Sequence, residues 1–286
     1  MNSINFFKMH ASGNDYCFID ERENYYNDYP SLAKKISDRH FGAGSDGLIV
    51  LSETSSADIR MTMFNSDGTR GEICGNALRC IGKHLYDKSI RASDNLNKSS
   101  KEKCNKKTIN HVFRVLTDAG VKKIESKEDG KSFTVNMGNV VFRGENLPSV
   151  CTFLFPFGKK EYLFSGASVG NPHAVCIVDN FDFDYLNLAR ELNGTDFFPF
   201  GANVEFVKPD DEGVQMRVIE RGSGETLSCG SGSCAAAAVL CRLGLKNFGK
   251  IKINSPGGLV FVEIREDFSA KLSGEAHYVF EGRFFF

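Results

Sequence analysis

The chain has 286 residues, of which 41% are apolar, and this length predicts roughly two domains. The formal net charge of −1 at pH 7 excludes a surface built to bind phosphate backbones or anionic lipid. The N-terminal residues show no signal segment, and no run approaches the roughly 18 consecutive apolar residues of a membrane span. We therefore expect a cytoplasmic protein that binds a small molecule rather than nucleic acid or a membrane.

The cysteines of the chain number nine, and an odd number argues against a disulfide framework. In a chain of this size without a secretion signal, most thiols are expected to be reduced. Four of them lie among apolar neighbours and are predicted to be small buried core residues. They are Cys17, Cys151, Cys176 and Cys241.

The first half of the chain shows strand-like blocks that lead to one helical pattern. The blocks are HASGNDYCFID at 10–20, GSDGLIVL at 44–51 and MTMF at 61–64. A Gly-containing loop then leads to the pair Cys74–Gly75 and to the segment ALRCIGKHLYDK, which has the period of a helix.

The predicted helix after Cys74 is only partly apolar, and it is expected to be buried incompletely. Arg79 lies off the apolar face and is expected to be less buried than that face. The segment 91–107 is rich in Lys, Asn and Ser without an apolar period, so it is predicted to be a solvated loop that exposes Cys104. The apolar face consists of Leu78, Ile81 and Leu85.

The second half of the chain repeats the order of the first. Cys229 coincides with Cys74 at an offset of 155 positions, and Asn171 coincides with Asn14 at an offset of 157. Three blocks in the same order at a nearly constant offset indicate two homologous domains. The repeated blocks are SVGNPHAVCIVD at 168–179, GANVEFV at 201–207 and MRVIERGSGETLSCGSGSCA at 216–235.

The repeat predicts an α+β fold of two homologous domains related by a pseudo-two-fold axis. Each domain is expected to be a curved mixed or antiparallel sheet wrapped around a central helix, with the active site in the cleft between the domains. The helix at 233–244 is apolar almost all round and is predicted to be buried on every side. A charged turn at 128–131 marks the expected boundary, which gives an N-terminal domain of 1–130 and a C-terminal domain of 131–275.

A cysteine immediately before a helix has an unusual electrostatic environment. The first helical turn leaves backbone N–H groups without partners and carries a partial positive charge of about half a unit. At such a position the pKa of a cysteine can fall from about 8.5 into the range of roughly 3.5–7.5, which makes the thiolate a usable base. The same N–H groups can hold a substrate carboxylate. The residues expected to supply them are Gly75, Asn76, Gly230 and Ser231.

Two homologous domains that each present such a cysteine predict a two-base racemase. One thiolate would remove the proton from an α-carbon, and the other group, still a thiol, would deliver a proton to the opposite face. No cofactor that could accept the carbanion charge is evident in the sequence. Backbone dipoles and the exclusion of water would therefore have to stabilise the carbanion.

Other interpretations of these motifs remain open. GSGSCA at 230–235 fits the weak dinucleotide-binding pattern. Cys229 with His173 could form a nucleophilic hydrolase pair, which leaves Cys74 without a role. A disulfide between the two motif cysteines would be an oxidised, inactive state. A zinc site is a poor match, because C-x5-C and C-x4-C differ from the usual C-x2-C spacing. Its four thiolates would be Cys74, Cys80, Cys229 and Cys234.

The chain resembles the diaminopimelate epimerase family over nearly its whole length. The resemblance implies cofactor-independent interconversion of LL- and meso-diaminopimelate, in lysine and peptidoglycan biosynthesis, by a thiol–thiolate pair at Cys74 and Cys229. It also implies a homodimer and a last strand, 276–286, that returns to complete the first domain. The matching segments are KMHASGNDY, RHFGAGSDGL, FNSDGTRGEICGNALRC, VGNPHAV, GANVEF, RVIERGSGETLSCGSGSCA and SPGG.

The same resemblance implies a set of substrate-site residues. Arg221 would grip the distal carboxylate with paired hydrogen bonds, and Glu220 would accept from the substrate ammonium. His173 would assist catalysis or support the site, so Glu220 and His173 join the cysteines as catalytic candidates. The residues implied to line the site are Asn14, Asn65, Asn171, Asn203, Glu220 and Arg221.

Two positions depart from the pattern of the family. Gly47 stands where many members carry Gln, which removes a side chain that could contact substrate, and the position is kept as a candidate contact. Ala77 stands where Gly is frequent. These departures leave histidine, or an analogue such as lanthionine, as an alternative substrate. The alternative from another class is a non-catalytic amino-acid-binding protein of the same fold.

Overall fold

Alternating apolar residues form most of the strands in both halves of the chain. The computed structural model describes residues 3–71, 73–97, 111–127, 130–142, 147–148 and 151–286. The chain forms two units, of which unit 1 is Met1–Val135 with Ser273–Phe286 and unit 2 is Asn136–Leu272. Of the expected boundary at 128–131, residues 128 and 129 lie outside the described residues.

Unit 1 is built on one sheet in the order β18–β1–β2–β3–β4–β6–β7–β8, with the short β5 on β4. The pairs β2/β3 and β4/β6 are parallel, and the other pairs are antiparallel. The strands are β1 (Ser3–Ala11), β2 (Asn14–Asp20), β3 (Gly47–Ser52), β4 (Ile59–Asn65), β5 (Arg70–Gly71), β6 (Val112–Thr117), β7 (Gly120–Lys127), β8 (Ser132–Asn139) and β18 (His277–Phe285).

The helices of unit 1 are α1 (Tyr29–Ser37) and α2 (Gly75–Asn97). The Asp28 side chain caps α1, and the buried Leu32, Ala33 and Ile36 pack on a core that includes Cys17 and Ile19 of β2. Because side chains alternate along a strand, Tyr16 and Phe18 point to the opposite face of the sheet. The helix α2 packs closely on the sheet, since a Cβ at Gly82 would lie 2.7 Å from the Ile124 side chain.

The helix α2 corrects two expectations. Residues 91–97 of the predicted loop are helical, so α2 continues beyond the end of its apolar period. The rest of that segment, with Cys104, lies outside the described residues. Arg79 is fully buried, because its guanidinium donates to Ser12 Oγ at 3.0 Å and to the carbonyl of Glu275 at 3.5 Å.

Unit 2 has the strand order β9–β10–β11–β12–β13–β15–β16, with β14 on β13. Its parallel pairs, β11/β12 and β13/β15, take the places of β2/β3 and β4/β6, so the sequence repeat is also a repeat of topology. The strands are β9 (Thr152–Phe157), β10 (Lys160–Ser168), β11 (Pro172–Ile177), β12 (Asn203–Asp210), β13 (Gly213–Glu220), β14 (Gly224–Thr226), β15 (Gly249–Ser255), β16 (Gly258–Ile264) and β17 (Ser269–Glu275).

The helices of unit 2 are α3 (Tyr185–Asn193) and α4 (Gly230–Arg242). The helix α3 packs Leu188 and Leu192 on a Phe-rich core. The helix α4 is buried from Gly232 to Cys241, which confirms the expected burial on every side. In the described part of the chain, no helix is both long enough and apolar enough to cross a membrane.

Candidate active site

Cys74 caps the N-terminus of α2. Its carbonyl oxygen accepts from the N–H of Leu78 at 3.0 Å, and its Sγ accepts from the N–H of Ala77 at 3.5 Å. The Tyr16 hydroxyl donates to the same sulfur at 3.4 Å, and Asn14 Oδ1 lies 3.5 Å from it. The sulfur is therefore held both by the helix start and by a strand of the sheet.

The Asn14 amide is fixed at both of its ends. Its Oδ1 accepts from Asn76 Nδ2 at 3.1 Å, and its Nδ2 donates to Asp46 Oδ2 at 2.7 Å. Asp46 in turn pairs with Arg39 at 2.8 Å. This network orients the Asn14 oxygen toward Cys74, so unit 1 brings together three of the predicted site residues, namely Asn14, Cys74 and Asn76.

Three neighbouring strands place Tyr16, Gly47 and Asn65 side by side. Tyr16 pairs with Gly47 in the β2/β3 ladder, and Gly47 pairs with Asn65 in the β3/β4 ladder. A Cβ at Gly47 would lie 2.3 Å from the carbonyl oxygen of Phe64, so packing explains the glycine. Asn65 Nδ2 donates to Thr69 Oγ1 at 2.9 Å. Contact of Gly47 or Asn65 with a substrate stays a prediction.

Cys229 caps the N-terminus of α4 and is 4% exposed. Its Sγ accepts from the N–H of Gly232 at 3.4 Å, and Ser231 Oγ lies 3.4 Å from it. The Glu220 carboxylate, which accepts from Thr226 Oγ1 at 2.6 Å, acts on the thiol as a nearby negative charge. Unit 2 thus brings together the predicted residues Cys229, Ser231 and Glu220.

The electrostatics at Cys229 differ from the expectation for a helix cap. Burial, followed by the charges of Glu220 and Glu205, raises the pKa of the Cys229 thiol well above its ordinary value. The Ser231 hydroxyl and the Gly232 N–H lower this pKa but are outweighed. Burial also raises the pKa of Glu220. The expected lowering at Cys229 is therefore wrong, because desolvation and two carboxylates exceed the effect of the helix start.

His173 lies between an acidic and an amide side chain. Its Nδ1 is 2.7 Å from Glu205 Oε1, and its Nε2 is 3.1 Å from Asn171 Oδ1. Both His173 and Glu205 are 0% exposed. The predicted residues His173 and Asn171 therefore form one hydrogen-bonded chain that ends at Glu205.

Arg221 follows directly after β13 and is exposed. Its backbone N–H donates to Asn203 Oδ1 at 2.8 Å, and its Nη1 donates to the carbonyl of Phe200 at 3.2 Å. Asn203 is 5% exposed, so its side chain supports the turn that carries Arg221.

The four cysteines predicted to be core residues are mostly buried. Cys17, Cys176 and Cys241 are buried, whereas Cys151 is half-buried and donates to the carbonyl of Phe142 at 3.3 Å. Burial raises the pKa of Cys17 and of Cys241 to about 11 and the pKa of Cys176 to about 12. Across the described ranges, no group of three or more His, Cys, Asp or Glu side chains is arranged to hold a metal ion.

Sequence reasoning missed Tyr16 and Glu205. The repeat contained a signal for Tyr16, because the offset of 157 that aligns Asn14 with Asn171 also aligns Tyr16 with His173. The signal for Glu205 was an acidic residue inside the otherwise apolar strand segment VEFV, which is unusual unless the charge is paired.

Comparisons with known proteins agree with this architecture. A family model described as diaminopimelate epimerase matches residues 6–143 and 166–279. The diaminopimelate epimerase of Acetivibrio thermocellus is 37% identical over 291 residues, which cover 98% of each chain. That of Archaeoglobus fulgidus is 36% identical over 98% of this chain and 95% of its own.

Solved structures share the fold at low sequence identity. A hydroxyproline epimerase from Agrobacterium vitis has a TM-score of 0.69 at 15% identity, covering 98% of this chain and 92% of its own. A phenazine biosynthesis protein of the PhzF family from Bacillus anthracis has a TM-score of 0.67 at 16% identity over the whole of both chains. The fold thus defines a class of α+β proteins that includes epimerases and racemases. The chain belongs to the diaminopimelate epimerase family. The predicted α+β fold, the family and the isomerase class are therefore confirmed.

Proposed function

We propose that this chain interconverts LL- and meso-diaminopimelate, with Cys74 and Cys229 carrying the two protons. The observation that carries the proposal is that each unit places one cysteine at the cap of its helix, in a member of this family. The substrate comes from the relatives, which bear the name diaminopimelate epimerase.

The proton balance of the reaction needs no cofactor. One cysteine, as thiolate, takes the α-proton and becomes a thiol, while the electron pair stays on the α-carbon. The other cysteine, as thiol, gives its proton to the opposite face and becomes a thiolate. After one turnover the two sulfurs have exchanged protonation states, so the reverse reaction can begin from the product without a further reagent.

Glu220 is the group that we propose to carry the proton of Cys229 when that thiol must ionise. Its carboxylate acts on the thiol as a nearby charge, and burial raises the pKa of Glu220 above its ordinary value, which favours a role as general base. Glu220 would also accept from the ammonium group next to the reacting carbon. We place His173 in the same site, acting through Asn171.

The carbanion would be stabilised through the carboxylate next to it. The backbone N–H groups at the two helix starts belong to Gly75 and Asn76 and to Gly230 and Ser231. Anions bind well at helix N-termini, and removing one aimed donor costs about 3 kcal/mol in comparable oxyanion sites.

The second amino-acid end of diaminopimelate requires its own anchor. Arg221 is exposed, and its backbone N–H donates to the Asn203 side chain. Its planar guanidinium is therefore accessible to a substrate carboxylate. Asn65 and Asn171 are partly exposed and would add amide contacts. A substrate with one carboxylate, such as histidine, would leave this anchor without a partner.

A homodimer is the assembly that we propose, through the strand β18. Its residues are exposed on both faces from His277 to Arg283 and again at Phe285, and four of these exposed side chains are large and apolar. A row of this kind favours pairing with another chain. Light scattering should give twice the chain mass of 31.6 kDa, and Val279→Lys should give the monomer mass. The exposed residues are Tyr278, Val279, Phe280 and Phe285.

The two-thiol mechanism also supports a cytoplasmic location, because both cysteines must stay reduced between turnovers. Reducing compartments keep thiols in this state. Fractionation of the cells that make this chain tests the location, and recovery of the protein only from an oxidising compartment would contradict it.

Loss of α-proton exchange in single cysteine variants tests the function. In deuterated water, the wild-type chain should exchange the α-hydrogen of LL-diaminopimelate and form the meso isomer. Cys74→Ala and Cys229→Ala should each lower the rate of epimerisation by roughly 100-fold to 10,000-fold, the range for loss of a general acid or base.

Cys241→Ala, in the same helix as the Cys229 cap, is the matched control and should turn over normally. Exchange of histidine without exchange of diaminopimelate would contradict the substrate. Unchanged rates in both cysteine variants would contradict the mechanism. Binding of diaminopimelate without exchange by the wild-type chain would instead indicate a non-catalytic binding protein.

A further inference from the structure

Glu205 is a fully buried carboxylate that the proposed proton transfers do not use. Its neighbours on β12, Val204 and Phe206, belong to the core under α3. Because side chains alternate along a strand, the Glu205 side chain points to the opposite face of the sheet, the face that packs on α4. Burial of an ionised carboxylate is unfavourable unless the charge is paired.

The partner of Glu205 is the His173 ring, and the surroundings of the ring define its protonation. Nδ1 lies 2.7 Å from a carboxylate oxygen, and Nε2 lies 3.1 Å from an amide oxygen. Both oxygens are acceptors, so a ring that satisfies both of them donates from both nitrogens. Such a ring is an imidazolium paired with a carboxylate.

A ring that donates from both nitrogens fixes the orientation of the Asn171 amide. An Oδ1 that accepts from His173 turns the amide so that the Nδ2 group faces away from the ring. Asn171 is partly exposed, whereas His173 is 0% exposed. The end of the amide that remains for a ligand is therefore a donor. With a neutral ring protonated at Nδ1, Nε2 would be an acceptor. The Asn171 side-chain amide would then be flipped, so that its Nδ2 group donates to Nε2.

We propose that Glu205 is a positioning residue: it holds His173 as an imidazolium and thereby keeps the Asn171 NH2 group directed toward the substrate carboxylate. The identity of that substrate rests on the proposed function, but the protonation of His173 does not. The role of His173 is then to orient and charge the site rather than to move the α-proton.

The first turn of α4 supports the charge on Glu205. A Cβ at Gly232 would lie 2.4 Å from Glu205 Oε1, so the carboxylate packs directly on the helix start, where partial positive charge favours an anion. The other oxygen, Oε2, is buried without a hydrogen-bond partner in the part of the chain that the structure describes. The charge is therefore compensated through the helix start and His173.

Nitrogen-15 NMR of the full chain tests the ring directly. The His173 signals would be assigned by their loss in His173→Asn. Near neutral pH we expect both ring nitrogens protonated in the wild-type chain and one in Glu205→Gln, because glutamine keeps an acceptor for Nδ1 but not the charge. A neutral ring in the wild-type protein overturns the proposal, whatever the activity and whether or not the variant folds.

Steady-state kinetics tests the consequence for Asn171. Glu205→Gln should raise KM for diaminopimelate roughly tenfold to a hundredfold, the loss of one hydrogen bond to a charged group, and should change kcat less than about threefold. Glu263→Gln, the same change on a partly exposed position of β16, is the matched control and should leave both constants unchanged. Thermal unfolding of each variant checks the fold.

A double-mutant cycle with Asn171→Ala tests whether Glu205 affects KM through Asn171. If Glu205 acts through Asn171, adding Glu205→Gln to Asn171→Ala should cause little further rise in KM. Additive losses, or a wild-type KM in Glu205→Gln, overturn the proposal. A chain that does not act on diaminopimelate at all contradicts the proposed function instead, and the NMR result then decides the role of Glu205 alone.

Discussion

The two motif cysteines occupy equivalent helix caps but have different neighbours. In unit 1 the sulfur accepts from the Tyr16 hydroxyl. In unit 2 the sulfur lies beside Ser231 and near the charge of Glu220. Tyr16 and His173 stand at equivalent positions of the repeat, so one strand position carries a hydroxyl donor in one unit and an imidazole ring in the other.

Replacing Tyr16 by Phe isolates the effect of one hydroxyl on Cys74. The hydroxyl donates to the sulfur at 3.4 Å, and a hydrogen bond to a charged group is worth about 1.5–3 kcal/mol. We expect Tyr16→Phe to lower the rate of alkylation of Cys74 by iodoacetamide at mildly alkaline pH roughly tenfold, because less of the sulfur is thiolate. Peptide mass spectrometry reads the site, and an unchanged rate would contradict the assignment. Tyr185→Phe, which removes a hydroxyl from an exposed contact with Glu225, is the control.

Alkylation of Cys229 should depend on pH in a defined direction. Its raised pKa means that the folded thiol stays protonated at pH values where an unfolded cysteine is already thiolate. The rate should therefore reach half its maximum at a higher pH in the folded chain than in the urea-unfolded chain. Glu220→Gln removes one of the carboxylates and should move this midpoint to lower pH. Movement to higher pH, or none, would show that the charge does not act on the sulfur; exposed Glu225→Gln is the matched control.

The helices α2 and α4 begin at equivalent places, but they are packed differently. The helix α4 is rich in small residues, is buried from Gly232 to Cys241, and contacts five strands of unit 2. The helix α2 is only partly apolar, and it carries the polar i,i+4 pair Lys83–Asp87 beside its apolar face. Close approach at the start of α4 requires Gly232, where a side chain would meet Glu205.

Gly232→Ala tests this close approach. The added Cβ would lie 2.4 Å from Glu205 Oε1, so the buried carboxylate would have to shift. We expect the free energy of unfolding to fall by about 1–3 kcal/mol, as for overpacking of a core, measured by urea denaturation. Gly194→Ala is the matched control, because φ is −88° there and a Cβ would meet its nearest atom at 3.4 Å. Equal stability of the two variants would contradict the argument.

The two units share one order of strands, and each carries one cysteine of the proposed pair. The chain passes from unit 1 into unit 2 within β8 and returns within β17, after which β18 pairs with β1. A single polypeptide therefore supplies both halves of the proposed chemistry, and oxidation of the whole chain can report on whether the two sulfurs act at one site.

Mild oxidation should join Cys74 to Cys229 and stop turnover, because two sulfurs that serve one α-carbon must come within reach of each other. Peptide mapping under non-reducing conditions should identify the linked pair, and a reductant should restore activity. Cys241→Ala should respond as the wild type does, whereas Cys229→Ala should form no such link. Activity that survives a demonstrated link would contradict the two-thiol mechanism.

Periodicity and motif order were sufficient to predict the α+β class, the internal repeat, the family and the cysteine before each helix. These features are local, because the pattern of a helix start or of an alternating strand is encoded by consecutive residues. The same reasoning predicted complete burial of α4, because its apolar residues extend around the whole helix.

Packing alone decided the raised pKa of Cys229, the burial of Arg79 and the pairing of Glu205 with His173. Each depends on residues that are distant in sequence: Glu205 is 32 positions from His173, and Glu275 is 196 positions from Arg79. Desolvation and charge pairing act through space, so their balance exists only once the sheet has placed these side chains on one face. A helix start lowers the pKa of a thiol wherever it occurs. At Cys229 the tertiary fold adds two carboxylates, whose charges raise the pKa.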